Sequence, residues 1–238
     1  MSYGQPLSVG DKLFGQTTLA GDQSSVIKKT YVLLGLSVAA AVAGVTFGLN
    51  AGVAQLILNT GIIGWIVIMV ALNVIPYVAM AARHSTILGP VALLADGFLS
   101  GIVISPMILI ATQYMGTSGS QAVFDACVIT GIIFLSITGY VMTSKRTFSA
   151  PRALMTGLFF GTIGLVGLNI FFNSPIVSLL ISGAIGIIGV FMLVSATSDV
   201  LNNPEADSPI PGALMLFAGL FNVFVAVLSI LMSFGGDD

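Results

Sequence analysis

The sequence predicts an all-α integral membrane protein of seven transmembrane helices, N-terminus cytoplasmic and C-terminus outside. Three observations predict it. First, the chain is 56% hydrophobic and only 7% charged, where a soluble domain carries about a quarter charged residues. So few charges cannot cover a water-soluble fold of 238 residues. Second, the apolar residues fall in long runs, each of a length suited to a hydrocarbon core of about 30 Å. Third, the seven Lys and Arg residues occur only in the N-terminal segment and in alternate short gaps between the runs. Cations near span ends mark the cytoplasmic side.

Each element follows in order. Residues 1–29 are rich in Gly, Gln, Ser and Thr and read as a polar cytoplasmic tail ending in Lys28 and Lys29. They lack the basic start and apolar core of a signal peptide, so the first span is expected to be a retained anchor. Residues 30–82 are almost continuously apolar. As one helix they would reach roughly 80 Å, so the chain must turn once within them. Asn50-Ala51-Gly52 and Asn59-Thr60-Gly61 are the turn signals. Span 1 is therefore expected at 30–50 and span 2 at 58–82, kinked at Pro76, with Arg83 and His84 just beyond it.

Span 3 is expected at 87–112, followed by an uncharged outside loop, Gln113 to Gln121. Span 4 covers 122–143 and ends at Lys145 and Arg146. Arg152 opens span 5, at 152–172, and Asn173-Ser174-Pro175 makes a tight outside turn. Span 6 is expected at 176–198. The loop from Asn202 to Gly212 carries Glu205, Asp207 and three prolines; acidic residues weigh little in the orientation rule. Span 7 is expected at 213–234, leaving 235–238 as a short acidic tail. Small residues recur at helix-contact spacing: Gly44 and Gly48 in span 1, Gly157 to Gly167 in span 5, and Ser178, Ser182 and Gly186 in span 6. In lipid, such residues let backbones approach closely, so they read as packing surface.

The span 4 segment VITGIIFLSITGYVMTSKRTFS, residues 128–149, resembles a signature of the Bax inhibitor-1 family. Thr130, Phe134, Leu135, Ser136, Tyr140, Lys145, Arg146, Phe148 and Ser149 fit its pattern, and Thr147 replaces an acidic residue. GFLSGIVISP at 97–106 is similar to the family's third span, which ends in Ser-Pro. LNIFF at 168–172 fits the end of the fifth span and GLFNVFVAVLSIL at 219–231 fits the last. The resemblance covers nearly all of residues 26–234 and is nearest the bacterial branch that associates with the membrane-anchored AAA protease FtsH. It implies a Bax inhibitor-1-like bundle in which one helix is surrounded by six.

The chain departs from the family at one motif. Calcium-leak members carry two aspartates on the last two spans as a pH-sensitive latch. Here Ala196 stands at the first position, within Val194-Ser195-Ala196-Thr197, and Gly219 at the second, before Leu220-Phe221-Asn222. Two neighbouring carboxylates share a proton and so sense pH; Ala and Gly do neither. Calcium also requires several oxygen ligands. The leak mechanism is therefore not carried over.

Asp96 is the foremost titratable candidate. It lies about nine residues into span 3, roughly 13 Å from the cytoplasmic edge, and an acid at that depth is a functional candidate. It either pairs with Arg83, sits neutral and fixes packing, or serves a proton or cation path. Asp199, one turn after Ala196, either partly replaces the missing acid or is a solvated helix-end residue. Asp125 reaches the outer interface. Asn73, Asn169 and Asn222 are expected to bond across helices. Lys28, Lys29, Lys145, Arg146 and Arg152 are cytoplasmic anchors, and the last three also suit anionic headgroups. His84 and Cys127 have no metal-ligand partners at suitable spacing. No HExxH, phosphate-loop or GxSxG motif is present, and 213–234 lacks the lysine that retinal needs.

The expected function is non-enzymatic and without cofactor: an accessory or regulatory subunit of a larger inner-membrane complex, such as a modulator of a membrane protease. The partners are the lipid bilayer and other membrane subunits of an FtsH-type complex or another large assembly, with no nucleic acid. The alternative is a pH-sensitive cation or proton leak channel without the di-aspartate latch.

Overall fold

The computed structural model describes residues 9–144, 147–148, 174–202 and 208–235. These form six helices: α1 (Val9–Asn50), α2 (Val53–Ala81), α3 (Leu88–Tyr114), α4 (Gly116–Thr143), α5 (Pro175–Asn202) and α6 (Pro209–Phe234). Five contain segments long and apolar enough to cross a membrane: Ser24–Asn50, Leu88–Gln113, Gly116–Thr143, Pro175–Asn202 and Pro209–Phe234. The chain is an all-α membrane protein. Expected span 5 and the anchors Lys145, Arg146 and Arg152 lie outside the described residues, as do Asn169 and the side chain of Asn73.

Several boundaries differ from expectation. No proline interrupts residues 7–75, so nothing stops the helix ladder of span 1 from running back into the polar segment. Accordingly α1 begins at Val9, and residues 9–29 are helical. Only the first of the two turn signals turns the chain. Gly52 adopts φ 73°, the left-handed conformation that glycine takes without steric cost. Asn59-Thr60-Gly61 lies inside α2, and the Thr60 hydroxyl donates to the Leu56 and Ile57 carbonyls, each at 3.0 Å, instead of initiating a turn.

The expected loop from Gln113 to Gln121 is also mostly helical. Only Met115 separates α3 from α4. Gly116 at φ 61° reverses the chain there. Likewise α6 starts before residue 213, because Ser208 caps it and the prolines at 209 and 211 fit a first turn, where no N–H is needed.

The Ser-Pro pair falls within α3 rather than at its end. Pro106 has no N–H for the Ile102 carbonyl four residues back. The Ser105 hydroxyl donates to that carbonyl at 2.7 Å, so the helix continues to Tyr114.

The buried face of α1 repeats at Thr30, Leu34, Ser37, Gly44 and Gly48, a heptad-like stripe. It lies along α3 in parallel, residues 37–48 matching 97–105. Gly44 abuts the Phe98 carbonyl, Gly48 the Ser105 side chain, Gly97 the Ser37 carbonyl and Gly101 the Ala41 carbonyl. Three apolar clusters form the core. The first joins Leu34 to Leu193, Ala196, Val200, Leu216, Phe217 and Val223. A second joins Ala79 and Leu93 to Ile210, Ala213 and Leu214. The third joins Ile104, Ile108, Ala122 and Ala126 to Leu228. Helix α6 enters all three and touches every other described helix. Outward positions are also apolar; Leu135 is 68% exposed and Ile176 71%. Such a surface suits lipid.

Candidate functional site

Two features of the core bear on function: the carboxyl on α3, and the seam between α5 and α6 that holds Ala196 and Gly219. Asp96 follows Leu93 by one turn and precedes Ser100 by another, on the face that α3 turns inward. It is 5% exposed. The neighbouring Gly97 brings the α1 backbone close: a methyl on it would stand 2.5 Å from the Ser37 carbonyl oxygen. The pairing with Arg83 considered from sequence does not form. Arg83 is exposed and its Nε donates to His84 Nε2 at 3.0 Å, because an adjacent loop residue is nearer than a carboxyl two turns down α3.

Helices α5 and α6 run antiparallel in one register. A Cβ on Gly186 would meet Ala226 at 3.1 Å, one on Gly189 would meet the Gly219 carbonyl at 2.9 Å, and one on Gly219 would meet Leu193 at 3.0 Å. Ala196 is 1% exposed and belongs to the first apolar cluster. Ala196 and Gly219 therefore both face carbon and backbone in a closed seam. Asp199 is exposed, whereas Ala196, Thr197, Ser198 and Val200 are buried.

Polar contacts flank this region. Ser182 Oγ and Ser229 Oγ lie 2.7 Å apart across the seam; Ser182 also donates to the Ser178 carbonyl at 3.0 Å, which leaves Ser229 as the donor between helices. Asn222 Nδ2 lies 3.7 Å from Met192 Sδ, a weak cross-helix contact. The Phe148 amide donates to Ser198 Oγ at 2.8 Å, and the Phe148 ring packs on Tyr140 at 5.5 Å. The end of the span 4 signature thus docks on α5.

Sequence reasoning passed over Ser208. Its hydroxyl donates to the Arg83 carbonyl at 2.7 Å and accepts from the Ile210 amide at 3.3 Å, tying the α2–α3 connection to the start of α6. The signal was present: a serine directly before a proline-initiated apolar run is an N-cap pattern. The Thr130 and Thr197 hydroxyls, cited from the sequence only as motif positions, are buried without a hydrogen-bond partner. Among the described residues, no group of three His, Cys, Asp or Glu gathers as a metal site. Lys28 and Lys29 are exposed near the start of the α1 membrane segment.

Bacterial proteins are similar to this chain over most of its length. A protein of Campylobacter jejuni is 28% identical over 219 residues, 92% of this chain and 93% of its own. The Escherichia coli K12 protein named modulator of FtsH protease YccA is 28% identical over 207 residues, 87% of this chain and 89% of its own. A membrane protein of Vibrio cholerae is 25% identical over 218 residues, 91% and 93% of the two chains. With its apolar helices, this kinship makes the chain an integral inner-membrane protein. A family model described as inhibitor of apoptosis-promoting Bax1 matches residues 23–236. Signature, helical architecture and this match agree, and the chain belongs to the Bax inhibitor-1 family.

Proposed function

We propose that this protein is a non-enzymatic accessory or regulatory subunit of a larger inner-membrane complex, and that it modulates a membrane-anchored protease of the FtsH type. The observation that carries the reading is the closed α5–α6 seam: Ala196 and Gly219 fill the latch positions with carbon and backbone, packed against Leu193 and Val223. A seam so built lacks the titrating pair that would open it. The Escherichia coli relative, named a modulator of FtsH protease, suggests the partner class. The reading includes seven spans with the N-terminus inside and the C-terminus outside, which reporter fusions at each terminus test. The functional test is native copurification in mild detergent. A stoichiometric AAA protease partner is expected; a chain that purifies alone sinks the proposal.

A second reading, a cation or proton leak, rests on Asp96. The side chain is 5% exposed within a span, and among the described residues no cation lies within salt-bridge distance. Under this reading Asp96 is a polar station on the path and Asp199 a further one, and Asp96→Asn abolishes pH-dependent flux in liposomes. Unchanged flux removes the site.

A further inference from the structure

A cleft of about 590 Å³ opens where α1, the α2–α3 connection and the start of α6 meet. Small-molecule pockets run from about 300 to 1,000 Å³. Among the described residues that line it, Lys28, Lys29 and Arg83 carry charge and none is acidic. Three positive charges gathered along one cleft repel one another, and a bound anion relieves that repulsion.

The positions of the cations are built rather than incidental. The Arg83 backbone is held by Ser208, whose hydroxyl donates to the Arg83 carbonyl at 2.7 Å. Its Nε is committed to His84 Nε2 at 3.0 Å, and the two terminal guanidinium nitrogens form the part that can fork onto a phosphate. Lys28 and Lys29 stand one helical turn before Val32 and Leu33, which line the same cleft, so each ammonium sits above an apolar side chain on one α1 face. Val32 is 61% exposed and belongs to a candidate membrane segment. The cleft is therefore cationic at one end and, at the other, opens along apolar side chains toward the hydrocarbon.

From this pairing of charge and apolar wall, we propose that the cleft binds the anionic phosphate headgroup of a membrane phospholipid, with an acyl chain lying along Val32 and Leu33. Free phosphate shares the headgroup chemistry but makes no use of the apolar wall. The inference needs only that the helices cross the membrane, and is independent of the protease reading above.

The test uses the full chain in detergent. Phosphatidylglycerol or zwitterionic phosphatidylcholine is titrated in, and retained lipid is counted by native mass spectrometry. Selective retention of phosphatidylglycerol is expected. Each charge near a lipid surface contributes enough for about a fivefold loss on removal, so the variant K28Q/K29Q/R83Q loses on the order of a hundredfold. Should the triple variant fail to fold, K28Q and R83Q are read singly, at about fivefold each. Equal retention of the two lipids, or retention untouched by these substitutions, overturns the proposal. Displacement of phosphatidylglycerol by inorganic phosphate at equal concentration overturns the lipid assignment.

Discussion

Substituting Gly97 by alanine tests how α1 and α3 associate. The added methyl would stand 2.5 Å from the Ser37 carbonyl oxygen and 3.2 Å from the Ser37 Cα, where ordinary contact begins at 3.4 Å. The obstacle is backbone, so no rotamer change relieves it, and the helices must separate locally by about 0.9 Å. A gap of 0.5–1 Å forfeits roughly a quarter to a half of each contact's dispersion energy along the seam. Overpacking of this kind costs about 1–3 kcal/mol. Against it stands the better helix propensity of alanine, up to about 1 kcal/mol. Gly35 on α1 supplies the matched control, because a methyl there meets nothing within 4 Å. Thermal unfolding in detergent should place Gly97→Ala below the parent by a few degrees, taking about 2–4 °C per kcal/mol, and Gly35→Ala at or above it. Equal midpoints for the two variants would refute close backbone packing as the source of α1–α3 association.

Three further outcomes are expected. Ala196→Asp puts a carboxyl into the apolar cluster of Leu193, Leu216 and Val223 and should cost at least about 2 kcal/mol, read as loss of monodisperse protein on size exclusion, while Ala196→Ser is milder. Ser208→Ala removes both the cap on Ile210 and the tie to Arg83; it should lower stability by about 1 kcal/mol, measured by denaturant titration in detergent. A double-mutant cycle on Ser182→Ala and Ser229→Ala should return a coupling of about 0.6 kcal/mol, the usual worth of a hydrogen bond between membrane helices.

The helices were legible because lipid imposes a simple condition: an apolar stretch of sufficient length must satisfy its own backbone. The packing stripe was legible too. Gly44 and Gly48, read as contact surface, meet Phe98 and Ser105, and Ser182 and Gly186 meet Ser229 and Ala226. Turns were harder to read. Asn59-Thr60-Gly61 has turn chemistry, yet the Thr60 hydroxyl finds helix carbonyls and the helix continues. Gln113 to Gln121 has loop composition, yet one left-handed glycine makes the reversal. Local residue preferences do not reveal which of several permitted positions the tertiary packing selects. The Arg83–Asp96 pairing failed for a similar reason, since sequence reports depth along a span but not the nearer acceptor at His84. The cationic cleft escaped sequence reading because its walls come from residues 28–33, 83–90 and 208–210, which only the folded chain brings together.

The parallel seam between α1 and α3 has a consequence for biosynthesis. Its glycines at 44 and 101 are more than fifty residues apart, with α2 between them. At roughly 5–20 residues per second, α1 waits for seconds in the bilayer before α3 is made. Throughout that interval the small-residue face of α1 rests on lipid, available to any insertion factor with a complementary face, and the arrival of Gly97 and Gly101 ends that availability.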